Sequence, residues 1–220
     1  MNLDRQSVIT IIYAPSIRLR RIAGMCLKAT THEFPDDYKF LGVDHGAPEL
    51  ERYAADHGWA IVYPQPGTRP PRMGSLLRTC LSFVPTDVVW TIEHDAQVSG
   101  GRRDAVSAML DKHPRVAGID CLSVDRRGVV NYPCKHRRRP APFAADSRLE
   151  HSRPWTSLNC GCWRTEALRQ INWSLVPDWP ATDQVISRQL LKLGWHLCIA
   201  KKQTCVHWIA NARKELPHAN

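Results

Sequence analysis

Two carboxylates separated by a single residue, Glu93 and Asp95, stand at the end of the apolar run Val88-Val89-Trp90-Thr91-Ile92. That run is rich in β-formers and is bounded by Pro85-Thr86-Asp87 before it and Ser99-Gly100-Gly101 after it, the pattern of a buried strand. If strand geometry continues through His94, side chains at i and i+2 point to the same side. Two acids on one side, at the carboxyl end of an interior strand, make a hard-oxygen site suited to Mg²⁺ or Mn²⁺ with a phosphate. Open α/β sheets bind their ligands at that edge. The competing interpretation is a solvated acidic strand end, and the spacing alone leaves both open.

The elements that must position such a site are legible from periodicity. Residues 7–13 (SVITIIY) form a continuous β-branched run, as expected of a strand covered on both faces. Ser16 can cap a helix reaching about residue 30, with Ile17, Ile22, Cys26 and Leu27 at helical spacing. A strand over 38–43, a helix opened by Pro48, and a strand over 59–63 complete a β-α-β-α-β order. That order calls for a parallel sheet with helices on its faces. Next come a Pro-rich loop over 64–71, a helix over 73–83, the acid-bearing strand, a helix over 102–112 and a strand over 116–124. The turn Arg126-Arg127-Gly128 leads into a strand over 129–132. Residues 134–154 show no period and are expected to be one long loop. A strand over 156–163 and a helix over 165–170 follow, then the rigid connector Pro177-Asp178-Trp179-Pro180-Ala181. Thr182 can cap a helix over 183–193 that ends at Gly194. Two short strands, 195–200 and 204–208, close the expected domain, residues 1–210, and a polar tail follows over 211–220.

Composition narrows the class. The 220 residues are 43% hydrophobic and include eight Trp, enough for one well-buried core. No apolar stretch approaches the roughly 18 residues needed to span a bilayer, and the polar N-terminus lacks a signal-peptide plan. Eight Cys occur without a C-x-x-C pair; they suit buried thiols of a cytoplasmic protein better than a disulfide framework. The net charge of +9 and pI near 9.4 point to an anionic partner. Charge crowds into Arg126-Arg127, then Lys135, His136, Arg137, Arg138 and Arg139, then Arg148, His151 and Arg153. Such a cluster is either a solvated loop or a phosphate-binding surface for nucleic acid or another polyanion.

The order of parts resembles the GT-A nucleotide-sugar glycosyltransferases, most closely the large family-2 group. Four landmarks carry the resemblance: Val43-Asp44-His45-Gly46; Arg72-Met73-Gly74-Ser75-Leu76-Leu77-Arg78; Glu93-His94-Asp95; and Trp179-Pro180-Ala181-Thr182-Asp183, followed by Leu193-Gly194-Trp195 and Val206-His207. The implied fold is a single Rossmann-like α/β domain with a mainly parallel central sheet and helices on both faces. The implied activity is metal-dependent, inverting transfer of a sugar from a nucleotide-sugar, UDP-linked as first choice, to a hydroxyl.

By the same resemblance Asp44 contacts the nucleotide and Arg72 its pyrophosphate. Glu93, Asp95 and His207 hold Mn²⁺ or Mg²⁺, and Asp183 is the general base. Glu93 departs from the usual Asp of that motif, and Thr182 replaces the first member of an acidic pair. Trp155, Trp163, Trp179 and Trp208 fall late in the chain, around the expected acceptor side, with Trp179 the first candidate to line it. Lys135, Arg137, Arg138 and Arg139 are candidates to hold a polyanionic acceptor, for which DNA with hydroxymethylated bases is one option. The alternative is a non-catalytic nucleic-acid-binding protein on a GT-A-like scaffold.

Overall fold

Alternate residues of the first strand enter different cores, and this sets the architecture. In β1 (Ser7–Tyr13) Val8 and Ile12 pack into one buried cluster, while Ile9 and Ile11 pack into another on the opposite face. Helix α1 (Ile17–Glu33), β2 (Tyr38–His45), helix α2 (Pro48–Asp56) and β3 (Trp59–Val62) follow, and β1, β2 and β3 pair in parallel. Helix α3 (Met73–Phe83) leads into β4 (Val88–Glu93), which lies parallel to β1 on its other side. The computed structural model describes residues 1–45, 47–64, 72–98, 100–130, 142–151 and 157–208.

The second half adds β5 (Ala96–Gln97), α4 (Arg102–Lys112), β6 (Val116–Val124) and β7 (Leu149–His151). Then come β8 (Cys160–Arg164), α5 (Thr165–Arg169), α6 (Thr182–Lys192) and β9 (His196–His207). The nine strands make one sheet in the order β3-β2-β1-β4-β8-β6-β9-β5, with β7 also on β9. β8 runs antiparallel between β4 and β6, and β6 and β9 pair in parallel. The sheet is therefore mixed, with four parallel and four antiparallel strand pairings, and β4 lies in its interior as expected.

Helices cover both faces. Buried residues of α1, α2 and α4, among them Leu27, Leu50 and Leu110, pack with Trp90 and Ile92 of β4. Leu77 of α3, Leu168 of α5 and Ile186 of α6 pack with Val89 and Trp163 on the other side. Trp163 is core here: its indole donates to Thr91 Oγ1 at 2.9 Å, so it does not line an acceptor surface.

Several expectations are corrected. Ser16 caps α1 as expected, its Oγ accepting from Leu19 N at 3.2 Å, while Ile17 of the helical set is 71% exposed. Residues 134–154 are not one loop: β7 lies within them, pairing Leu149 with Ala200. The two terminal strands are one, β9, whose pairing with β6 jumps from Ala200 to Thr204 through a bulge. Thr182 does not cap α6, since Ala181 occupies the cap with φ 74 and the Thr182 hydroxyl donates to the carbonyls of Pro177 and Asp178. Of the strand expected over 129–132, an isolated bridge of Val130 to Val124 is present among the described residues. Seven of the cysteines are buried free thiols. Among the described residues no helix is long and apolar enough to cross a membrane.

Candidate active site

Glu93 closes β4, and the chain turns at His94 and Asp95 before β5 begins. The i, i+2 geometry of a continuing strand is therefore not what brings the acids together. The turn does, with the far end of the sheet. β5 pairs Ala96 with His207, and Trp208 N donates to Asp95 O at 2.9 Å. His207 Nε2 consequently lies 3.0 Å from Asp95 Oδ2. Ligand atoms of Glu93, Asp95 and His207 all fall within 4.8 Å of one another. Asp95 is 3% exposed, and its Oδ1 has no partner among the described residues. Asn159, with its amide nitrogen turned toward Glu93, donates to both carboxylate oxygens at 2.7 and 3.2 Å.

The electrostatics of this cluster are those of acids short of positive charge. Burial, then the neighbouring Asp95 carboxylate, pushes Glu93 up to about 8. Burial also pushes Asp95 upward, but the hydrogen bond from His207 and the nearby imidazoles outweigh it and hold Asp95 below its usual range. For His207 burial favours the neutral ring, yet Asp95 and Glu93 together raise it to about 9. An orphaned buried oxygen beside a second carboxylate and an imidazole fits a divalent cation of the Mn²⁺ or Mg²⁺ type, whose charge would replace the protons that these groups retain.

Asp183 lies in the first turn of α6, and its charge is felt at both Glu93 and Asp120. Burial raises its carboxyl above the ordinary range against hydrogen bonds from its own turn, one of them from Gln184 N at 2.8 Å. Asp120, which sequence reasoning missed, sits in β6 at 4% exposure. Its Oδ2 accepts from Ser157 N at 2.8 Å, while Oδ1 has no partner among the described residues and a Cβ at Gly161 would come within 3.1 Å of it. The available signal was a lone acid inside an otherwise apolar strand, since fully buried acids are rare. No comparable signal marked Asn159.

Asp44, at the carboxyl end of β2, binds Arg72. Arg72 N and Nε reach its two carboxylate oxygens at 2.7 Å each, and Arg72 Nη2 reaches the Asp44 carbonyl at 3.0 Å. The two residues expected to contact the nucleotide separately thus form one unit at the start of α3. That helix start is tied to the connector before α6, because Asp178 Oδ1 accepts from Ser75 N at 2.7 Å. Gly74 permits the approach: a Cβ there would stand 2.5 Å from Pro177 O. Trp179, on this connector, is 45% exposed. Lys135, Arg137, Arg138, Arg139, Arg153 and Trp155 lie outside the described residues.

The sequence matches no family model and no curated protein. Solved structures do match. GalNAc-T7, determined with UDP, GalNAc and Mn²⁺, aligns at 12% identity and a TM-score of 0.62, over 92% of this chain and 43% of that one. TarS of S. aureus (residues 1–349) aligns at 16% identity and 0.66, over 92% of this chain and 60% of that one. A mannosyltransferase of Pyrobaculum calidifontis, complexed with GDP-Man and Mn²⁺, aligns at 15% identity and 0.61, over 91% and 55%. The chain thus spans about half the length of the proteins it matches. The fold is that of the GT-A glycosyltransferases.

Proposed function

We propose that the chain is a metal-dependent glycosyltransferase that moves a sugar from a nucleoside-diphosphate sugar, UDP-linked as first choice, to an acceptor hydroxyl. The observation that carries this proposal is the convergence of Glu93, Asp95 and His207 at the end of β4, with Asp183 close enough for its charge to reach Glu93. GalNAc-T7 and the Pyrobaculum mannosyltransferase, which share the fold, were solved with Mn²⁺ and with UDP or GDP-Man.

Glu93, Asp95 and His207 would hold the ion, and a divalent ion there supplies Lewis-acid neutralisation of the diphosphate as it departs. The Asp44–Arg72 pair frames the nucleotide end. Asp183 takes the proton of the acceptor hydroxyl as that oxygen attacks the anomeric carbon, and the bond from that carbon to the phosphate oxygen breaks in the same displacement. The sugar's configuration inverts. A polyanionic acceptor suits the net charge of +9.

The test is calorimetry with UDP, GDP and TDP in the presence of Mn²⁺, with donor hydrolysis alongside. Asp95→Asn is expected to lose Mn²⁺-dependent nucleotide binding. Asp183→Asn is expected to keep that binding while transfer falls by about 10²–10⁴. Intact metal-dependent binding in Asp95→Asn would overturn the role given to the cluster.

A further inference from the structure

A cavity of about 460 Å³ opens beside the acid cluster, lined by Asp125, Arg126, Arg127, His207 and Trp208. His207 belongs both to this cavity and to the cluster, so whatever fills the cavity sits against the cluster's imidazole side. The walls are built. Trp208 is fixed by its backbone amide on Asp95 O at 2.9 Å and by its indole on Gln97 Oε1 at 3.1 Å. The Arg126 guanidinium lies over the Trp208 ring, 4.8 Å from its centre. Asp125 does not neutralise the arginines: its Oδ1 accepts from Arg127 N at 2.8 Å and Val129 N at 2.9 Å, which shapes the turn that presents them. Among the described residues neither guanidinium has an ion pair, and both side chains are exposed to the cavity mouth.

One guanidinium held over a fixed aromatic ring, with a second lining the same space, makes an anion receptor, and their planar forks match the oxygens of a phosphoryl group. We infer that Arg126, Arg127 and Trp208 form a phosphoryl-binding subsite that operates together with the Glu93–Asp95–His207 cluster. The inference rests on the glycosyltransferase reading for its partner cluster, not for the cavity itself. The phosphoryl group can come from the donor's diphosphate or from a phosphorylated acceptor. Because His207 belongs to both, a phosphoryl group in the cavity would lie beside the cluster in either case.

Calorimetry on the full chain separates these possibilities. Inorganic pyrophosphate with Mn²⁺ is the base-independent probe, and it should bind at least tenfold more weakly to the Arg126→Gln, Arg127→Gln double variant than to the unaltered protein. Circular dichroism confirms that the variant is folded, and Arg126→Lys should recover part of the loss, because charge returns without the fork. A parallel loss for UDP with Mn²⁺, with uridine unaffected, assigns the subsite to the donor. Unchanged UDP binding, with loss confined to pyrophosphate added to the UDP-loaded protein, assigns it to a phosphorylated acceptor. Equal pyrophosphate affinity in the two proteins, or no pyrophosphate binding by the unaltered protein, overturns the subsite. Absence of nucleotide binding with pyrophosphate binding intact overturns the donor reading and leaves the subsite standing.

Discussion

Asp183 owes its proposed role to where α6 begins. A buried carboxyl keeps its proton to higher pH than an exposed one. Burial is the leading cause of its upward shift. A base must be deprotonated, so transfer is full above the folded pKa and is lost as pH falls through it. The acid limb of kcat/KM is therefore expected above the ordinary aspartate value of about 3.9. A limb at that ordinary value, measured with saturating Mn²⁺, would remove Asp183 from the role. Asp120 is expected to matter at the same scale. Its Oδ2 accepts from Ser157 N, and its Oδ1 has no partner among the described residues. Asp120→Ala strands a buried backbone donor, at a cost of about 1–3 kcal/mol; urea unfolding would read this as a lower midpoint.

At the scale of elements, the link between α3 and the connector before α6 joins the two ends of the site. Arg72 makes no side-chain cap on α3, and Asp178 supplies the acceptor for Ser75 N instead. Asp178→Ala is expected to cost roughly 0.5–2 kcal/mol, the range for a lost cap, whereas Asp178→Asn keeps an oxygen acceptor and most of the stability. Gly74→Ala pushes a methyl into Pro177 O and is expected to cost about 1–3 kcal/mol, in the manner of overpacking. Denaturant midpoints for the three variants check the order.

Most elements were legible in the sequence, because β1, α3, β4, α4 and β6 carry their own period and boundaries. β5 and β7 were not. They are two and three residues long, and pairing with β9 creates them. The unity of β9 was hidden for the same reason: its polar bulge at Lys201, Lys202 and Gln203 reads locally as a break. Within the site, Glu93 and Asp95 announced themselves by spacing, and His207 only by resemblance. The Asp44–Arg72 pairing and the Asn159 contact depend on segments meeting across the sheet, which no local pattern encodes.

For the whole molecule, the net charge of +9 favours anionic partners in general. Residues 135–139 lie outside the described residues, and their proposed role as an acceptor-holding segment rests on charge. Replacing Lys135, Arg137, Arg138 and Arg139 by Ala is expected to lower the slope of log K against log salt for duplex DNA by roughly 2 to 4. Donor hydrolysis should be unchanged. Fluorescence anisotropy across a salt series measures the slope, and an unaltered slope would dismiss DNA as the acceptor held there.

β9 carries one more implication, for the order in which the protein acquires its properties. The acids of the cluster emerge early in synthesis, at the end of β4, and the imidazole arrives on the last strand. A ribosome-held chain stopped before His196 carries both carboxylates but lacks His207. If the cluster holds a divalent ion as proposed, high affinity is expected only once β9 has docked between β6 and the short β5 and β7 strands. Metal capture by nascent chains of increasing length would report the moment at which the sheet is completed.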